Sequence, residues 1–182
     1  PEVISGGNFH GQILAIISDN MAICIHEIAS ISERRINQVL DPQWSGQKAF
    51  LANDEGLESG LMIVQYVAAA VIAELSLLSN PISTTNIPVS MGKEDHVSMG
   101  ATASYRTFKA SKLLSSVISS ELICSCQALD NISEKPSESV GKIHNWLRSY
   151  VTKIDADRST TEDTEIIARM LLTPEFIEIF RK

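Results

Sequence analysis

The sequence predicts an all-α protein, a bundle of long helices too apolar to stand alone, on three observations. Apolar residues recur at three- and four-residue spacing through two stretches of about thirty residues each, near 12–40 and 98–130. A third stretch, Leu61 to Leu78, is apolar around its whole circumference apart from Gln65, Glu74 and Ser76. No segment alternates apolar and polar residues as a half-buried strand would. With 182 residues, 44% hydrophobic and 20% charged, the chain is long and apolar enough to bury a core.

The first helix is expected from Gln12 to Leu40. Ile13, Ile16, Ile17, Cys24, Ile28 and Ile31 share one face, and Leu14, Ala22, Ile25, Ala29 and Ile36 an adjacent one. A helix apolar over so much of its surface needs enclosure by other helices or by subunits. Asp41-Pro42 ends it, since the residue before proline disfavours the helical conformation. Residues 43–59, with Gly46, Asn53, Asp54 and Gly56, are expected to connect it to the helix over Leu61 to Leu78.

That second helix reaches the minimum length for a membrane span, but a mid-membrane Glu74 costs about 2.5–3.5 kcal/mol and no basic flank accompanies it. Burial on all sides by protein is therefore expected, with no membrane as partner. Asn80-Pro81 stops it, and residues 82–93, with Pro88 and Gly92, form an ordered loop.

A long helix follows from Ser98 to Asp130, with Leu113, Leu114, Val117, Ile118, Glu121 and Leu122 on its core stripe. Glu121 there must be paired or face a subunit boundary. Ser133 to Ser139, containing Lys135-Pro136, is a polar linker dividing residues 1–132 from the small helices of 133–182. In the latter, Ile143, Trp146, Leu147, Tyr150, Val151 and Ile154 mark one amphipathic helix. Ser159 with Glu162 has capping-box spacing for another, and Thr173-Pro174 starts a last one.

Composition excludes several function classes. Fifteen basic against 22 acidic residues give a net charge of −7 and a pI near 5.1, which argues against nucleic-acid partners. Cys24, Cys124 and Cys126 form neither a disulfide framework nor a metal pattern and are expected to be small buried hydrophobes in a reducing cytoplasm. No phosphate-binding loop and no zinc signature occurs, so no metal is expected. Pro1-Glu2-Val3-Ile4 lacks the basic start and apolar core of a signal peptide. Of the histidines, His26 is expected in a core or interface and His144 in solvent.

Two polar clusters stand beside the apolar helices. Ser5-Gly6-Gly7-Asn8-Phe9-His10-Gly11 permits a tight backbone path and offers donors and acceptors just ahead of a helix. Its plainer reading is a glycine turn with an Asn cap. Ser90 to Gly100 holds Lys93, Glu94, Asp95 and His96 at the start of the long helix. Acids are favoured there by the helix dipole, and Ser98 suits a cap. Alternatively one carboxylate meets a ligand while its neighbour is structural.

These clusters carry a family resemblance. Ser5 to Gly11, Ser30 to Ile36 with Leu40-Asp41-Pro42, and Glu94-Asp95-His96-Val97-Ser98-Met99-Gly100 are similar to the aromatic amino acid lyase family, and within it to the histidine ammonia-lyases. Ser59 to Gln65, Gln127 to Asp130, and Ile143 to Glu165 with Asp157-Arg158 and Asp163 extend the resemblance over essentially the whole chain. It implies a long-helix homotetramer with shared active sites that eliminates ammonia from an amino acid, for histidine giving urocanate.

It also implies an electrophile, methylidene-imidazolone, formed by cyclisation of an internal Ala-Ser-Gly. This sequence has none, its nearest string being Ala103-Ser104-Tyr105. The resemblance thus implies the carboxyl-terminal portion of an enzyme whose amino-terminal part supplies that group and is the necessary partner, with a small amino acid as substrate. This portion alone is expected to be inactive.

By resemblance Phe9 lies near the prosthetic group and substrate, and Glu94 is the catalytic carboxylate beside the substrate imidazole. A carboxylate suits a ring with N–H donors, favouring histidine over phenylalanine. Gly92 and Lys93 depart from the usual asparagine and glutamine. Lys93 would pair with Glu94 and lower its pKa. The implied substrate-binding set is Phe9, Lys93 and Glu94. Two rivals stand beside it: a tyrosine or phenylalanine lyase or aminomutase of the same family, and a non-catalytic helical assembly subunit.

Overall fold

The computed structural model describes residues 1–4, 6 and 10–180. Among them run α1 (Gln12–Leu40), α2 (Pro42–Ser45), α3 (Met62–Leu78), α4 (Gly100–Asp130), α5 (Glu138–Arg148), α6 (Thr161–Met170) and α7 (Pro174–Glu178). No β-strand occurs among the described residues, only the isolated bridges Glu55–Glu58 and Val89–Glu94. The all-α class and the long helices are as the apolar periodicity predicts.

Cross-links give the topology of the bundle. Thr107 Oγ1 donates to Ser18 O at 2.6 Å, and Arg35 meets Glu121 at 3.4 Å further along, so α1 and α4 run parallel. Gln65 donates to Asn37 Oδ1 at 2.9 Å while Lys109 meets Glu74 at 2.6 Å, so α3 runs antiparallel to both. Arg106 caps the end of α3, donating to Leu77 O and Leu78 O at 2.8 and 3.0 Å. Glu121 is thus paired.

The α1–α4 seam is made of small residues. Ala15, Ala22, Ala29 and Ile36 are seven apart and at most 2% exposed. On α4, Ala103, Ala110, Val117 and Cys124 repeat at the same interval and are fully buried. A seven-residue repeat keeps one narrow stripe facing its partner along the whole length.

This corrects the expected faces. Ile13, Ile16, Ile17, Ile28 and Ile31 are 46–59% exposed in this chain, and Cys24 beside them is exposed rather than buried. The adjacent face, through Ala22, Ile25, Ala29 and Ile36, is the inward one, although Leu14, expected on it, is 65% exposed. Likewise α3 buries one stripe, Val64, Ala68 and Leu75, while Ile63, Tyr66, Val67 and Leu77 are exposed; the chain itself does not bury that helix on all sides. On α4, Leu113, Leu114, Ile118 and Leu122 are only partly buried, and Ser115, Ser119, Ser120 and Gln127 share the interior with Val117.

By length and composition α1, not α3, is the helix that suffices to cross a membrane. Its buried residues include Asp19, Ser32 and Glu33, the last paired with Arg34. That polar content on a packed seam fits a helix held by protein.

Four details differ from the sequence expectation. The connector after α1 contains α2 and a 3₁₀ turn over Ala49–Leu51. Asp41 caps α2 by accepting from Gln43 N at 2.8 Å. α5 stops at Arg148, and Val151 and Ile154 enter the core from the following turn. The Ser159–Glu162 capping box does not form, because α6 starts after Thr160, which makes no side-chain cap; Arg158 instead meets Asp163 at 2.6 Å. Thr173 does precede Pro174 at the start of α7.

The segment before α3 is tied to the chain's far end. Asp157 accepts from Ser59 N at 2.8 Å and Gly60 N at 2.9 Å, and Asn53 donates to Asp155 O at 2.6 Å. The core reaches from Ile25 on α1 to Ile167 on α6.

The two α4 cysteines behave as buried hydrophobes. Burial pushes the Cys124 thiol far above its ordinary range and the Cys126 thiol up to about 11. Neither should react with a water-soluble thiol reagent at pH 7.5 until the protein unfolds, read as label per chain by mass spectrometry with and without denaturant. Rapid native labelling of either would contradict this packing.

Candidate active site

The helix starts of α1 and α4 lie side by side, and the Ser90–Gly100 cluster closes over them. Ser98 Oγ donates to His10 O at 2.5 Å and accepts from Gly100 N at 3.2 Å. A Cβ on Gly100 would lie 3.2 Å from that hydroxyl oxygen, so the glycine lets the two chain ends approach. The loop from α3 is anchored by Asp19, 5% exposed, whose Oδ2 accepts from Ile82 N at 2.9 Å and Ser83 N at 2.7 Å. Asn86 then bridges the loop, donating to Asp95 O at 3.0 Å and accepting from Val97 N at 2.9 Å.

Glu94 sits on a miniature hairpin. Val89 N donates to Glu94 O at 3.0 Å and Glu94 N to Val89 O at 3.3 Å. Ser90, Met91 and Gly92 make its turn with φ of 55°, 55° and 79°. Two consecutive non-glycine residues in the left-handed region cost about 1–2 kcal/mol each and persist only where the surroundings fix them.

The helix-dipole account of the acids fails here. α4 begins at Gly100 and has no acid in its first turn; Glu94 and Asp95 precede it by several residues. Glu94 is therefore placed by the hairpin, not by the helix end.

The side chains at this end form a connected set. Glu94 Oε2 lies 3.7 Å from His10 Nε2. The His10 and His96 rings meet edge to face, 5.8 Å between centroids at 77°. His96 Nε2 is 2.9 Å from Gln12 Oε1, and Gln12 Nε2 donates to Ser83 O at 3.4 Å. With the amide so oriented, its oxygen accepts and His96 carries its proton on Nε2. Of the sequence-predicted residues, Glu94 is 44% exposed at its side chain, and Lys93 is exposed. Among the described residues no Lys93–Glu94 ion pair forms, a correction to the expected pairing, because the hairpin gives Glu94 to His10. Phe9 lies outside the described residues. Among those described, no cluster of three or more His, Cys, Asp or Glu has the arrangement of a metal site.

Residues 1–149 match the sequence profile of the aromatic amino acid lyases. The chain belongs to the aromatic amino acid lyase family. It is 39% identical over 180 residues to a histidine ammonia-lyase of Myxococcus xanthus, covering 98% of this chain and 35% of that protein. Its fold superposes on histidine ammonia-lyase from Trypanosoma cruzi with a TM-score of 0.92 at 34% identity, and on tyrosine aminomutase from Streptomyces globisporus with 0.94 at 29%. Each comparison covers all of this chain and 35% of the other. The chain thus spans about a third of the length of these lyase-family relatives.

At the opposite end of α4 this lyase-family chain holds a second polar network whose roles the sequence did not reveal. Asp130 meets His144 at 2.7 Å and Arg148 at 2.5 Å, so His144 is paired rather than solvated. Gln127, 1% exposed, donates to Ile154 O at 2.8 Å and accepts from Ile154 N at 3.1 Å. These contacts bind α4 to α5 and the turn beyond it. The adjoining depression, about 590 Å³, is lined by Gln47, Asp130 and Lys153 among others and lies a whole helix away from Glu94.

Proposed function

We propose that this chain is the carboxyl-terminal part of a histidine ammonia-lyase that eliminates ammonia from L-histidine to give urocanate, as a cytoplasmic homotetramer serving histidine breakdown. The observation that carries the reading is Glu94, held on a strained hairpin at the paired helix starts, in a sequence 39% identical to a histidine ammonia-lyase. An exposed carboxylate there accepts a hydrogen bond from an imidazole N–H and can take up a proton from the bound substrate.

The electrophile belongs to another part of the whole enzyme. Methylidene-imidazolone requires Ala-Ser-Gly, and this sequence has none. The nearest string, Ala103-Ser104-Tyr105, lies within α4, where helical hydrogen bonding prevents cyclisation. When bound, that group supplies the electron sink for departure of the amino group. The residues of this chain supply substrate orientation through Glu94 and a wall through Phe9. We assign Lys93, exposed beside Glu94, to substrate binding as well, as a cation for the charge of the substrate. Alone, the chain should not turn over any amino acid.

Native purification followed by intact-mass and peptide mapping tests the assembly, and a panel of L-histidine, L-tyrosine and L-phenylalanine tests the substrate. A polypeptide bearing a dehydrated Ala-Ser-Gly, with histidine turned over fastest to a product absorbing as urocanate, is the expected result. A tyrosine aminomutase reading has the 0.94 superposition and the Gly92-Lys93 departure in its favour. A β-amino acid formed from tyrosine, with no histidine turnover, would establish it instead.

A further inference from the structure

We propose that His10 is a positioning residue for Glu94, backed by His96 and Gln12, and sets how the carboxylate is presented to the substrate. The proposal rests on Glu94 being the group that meets the substrate. Its physical basis is the order of the side chains at the joined helix starts: Gln12 to His96, His96 to His10, His10 to Glu94.

The far end is fixed first. Gln12 belongs to α1, and its amide is oriented by Ser83 O, itself in a segment anchored on buried Asp19. Its oxygen sets the His96 tautomer through the 2.9 Å contact. His96 then braces the His10 ring edge to face, the arrangement aromatic rings favour. The His10 backbone is held independently, its carbonyl accepting the 2.5 Å bond from Ser98 Oγ. His10 is thus braced at ring and backbone, with its side chain 21% exposed.

Glu94 has the complementary freedom. Its side chain is 44% exposed, and His10 Nε2 lies 3.7 Å from its Oε2, longer than a hydrogen bond. A small rotation about the carboxylate brings the pair to bonding distance or moves one oxygen out toward a ligand. The ionisable groups along the same segment are Lys93, Asp95 and His96; Lys93 and Asp95 are exposed, and His96 is turned toward Gln12. His10 is therefore the cation-capable side chain facing Glu94 from α1's leading end. It restrains one carboxylate oxygen and leaves the other for the substrate.

The test is a double-mutant cycle in the whole enzyme, using whichever of L-histidine, L-tyrosine and L-phenylalanine the wild type turns over fastest. His10→Leu should lower kcat/KM by about tenfold, the size of one charge-assisted hydrogen bond. Added to Glu94→Gln it should cost about twofold or less, because a residue acting through Glu94 has little left to position. His10→Gln, which keeps a donor, should recover part of the loss. His96→Phe keeps the ring contact and drops the Gln12 bond; a loss of about threefold is expected, and this variant decides the matter if His10→Leu does not fold. Full additivity of His10→Leu with Glu94→Gln, or no loss in any of these variants, overturns the proposal. A panel in which tyrosine wins overturns the histidine reading but leaves the cycle interpretable; no turnover of any substrate overturns both.

Discussion

Glu94→Gln in the assembled enzyme should lower kcat/KM for L-histidine by about 10²- to 10³-fold, within the range for losing one general acid–base group. The substitution keeps the shape of the side chain and an oxygen that can accept a hydrogen bond. It removes the charge and the capacity to take up a proton. Glu94→Ala removes the acceptor as well and should fall further. The architecture should survive both changes, because the hairpin is held by the backbone bonds between Val89 and Glu94, and the side chain is nearly half exposed beside the His10 ring. Size-exclusion elution and circular dichroism should therefore match wild type. A Glu94→Gln enzyme within about threefold of wild type would remove the carboxylate from the mechanism, since one lost acid–base group costs far more.

The ends of α1 and α3 were legible because they rest on local chemistry. Asp41-Pro42 and Asn80-Pro81 stop α1 and α3 for reasons contained in two residues. The inward faces were not legible, because hydrophobic weight is a poor guide to which face packs closely. α1 places Ala15, Ala22 and Ala29 on its seam and Ile13, Ile16, Ile17, Ile28 and Ile31 outside it. A seven-residue repeat of small residues was the available signal, and it was masked by the stronger isoleucine periodicity. Asp19 illustrates the same limit: in sequence it interrupts an apolar run, whereas in the fold it anchors the loop that leads to Glu94.

The candidate site was legible in part. Its two clusters could be picked out as polar, glycine-bearing strings beside apolar helices, but nothing local joins His10 to Glu94 across 84 residues. Their meeting depends on α1 and α4 running parallel with their starts level, a property of the packed seam. His144 failed for a related reason. One amphipathic helix considered alone puts it in solvent, and only the end of α4, 14 residues earlier, brings Asp130 to it.

Gly60→Ala should destabilise the protein by about 2–5 kcal/mol, a large share of the net stability of a domain this size. Gly60 has φ +53°, which costs a residue with a side chain about 1–2 kcal/mol. The added Cβ would also lie 2.5 Å from Phe50 O, 3.0 Å from Ala52 N and 3.1 Å from Ala52 Cβ. Two of those three atoms are backbone and cannot rotate away, and overpacking of this kind costs about 1–3 kcal/mol. Yielding is difficult because Phe50 O accepts from Leu61 N at 2.9 Å, while Asp157 holds Gly60 N from the other side. Gly56→Ala is the matched control: φ is +92°, but nothing lies within 4 Å of the added atom. It should bear only the backbone cost, about 1–2 kcal/mol. The difference between their denaturant midpoints, at equal slope, isolates the close approach of the α3 entry to the Ala49–Leu51 turn. Equal losses for the two variants would mean that this approach is looser than 2.5 Å implies.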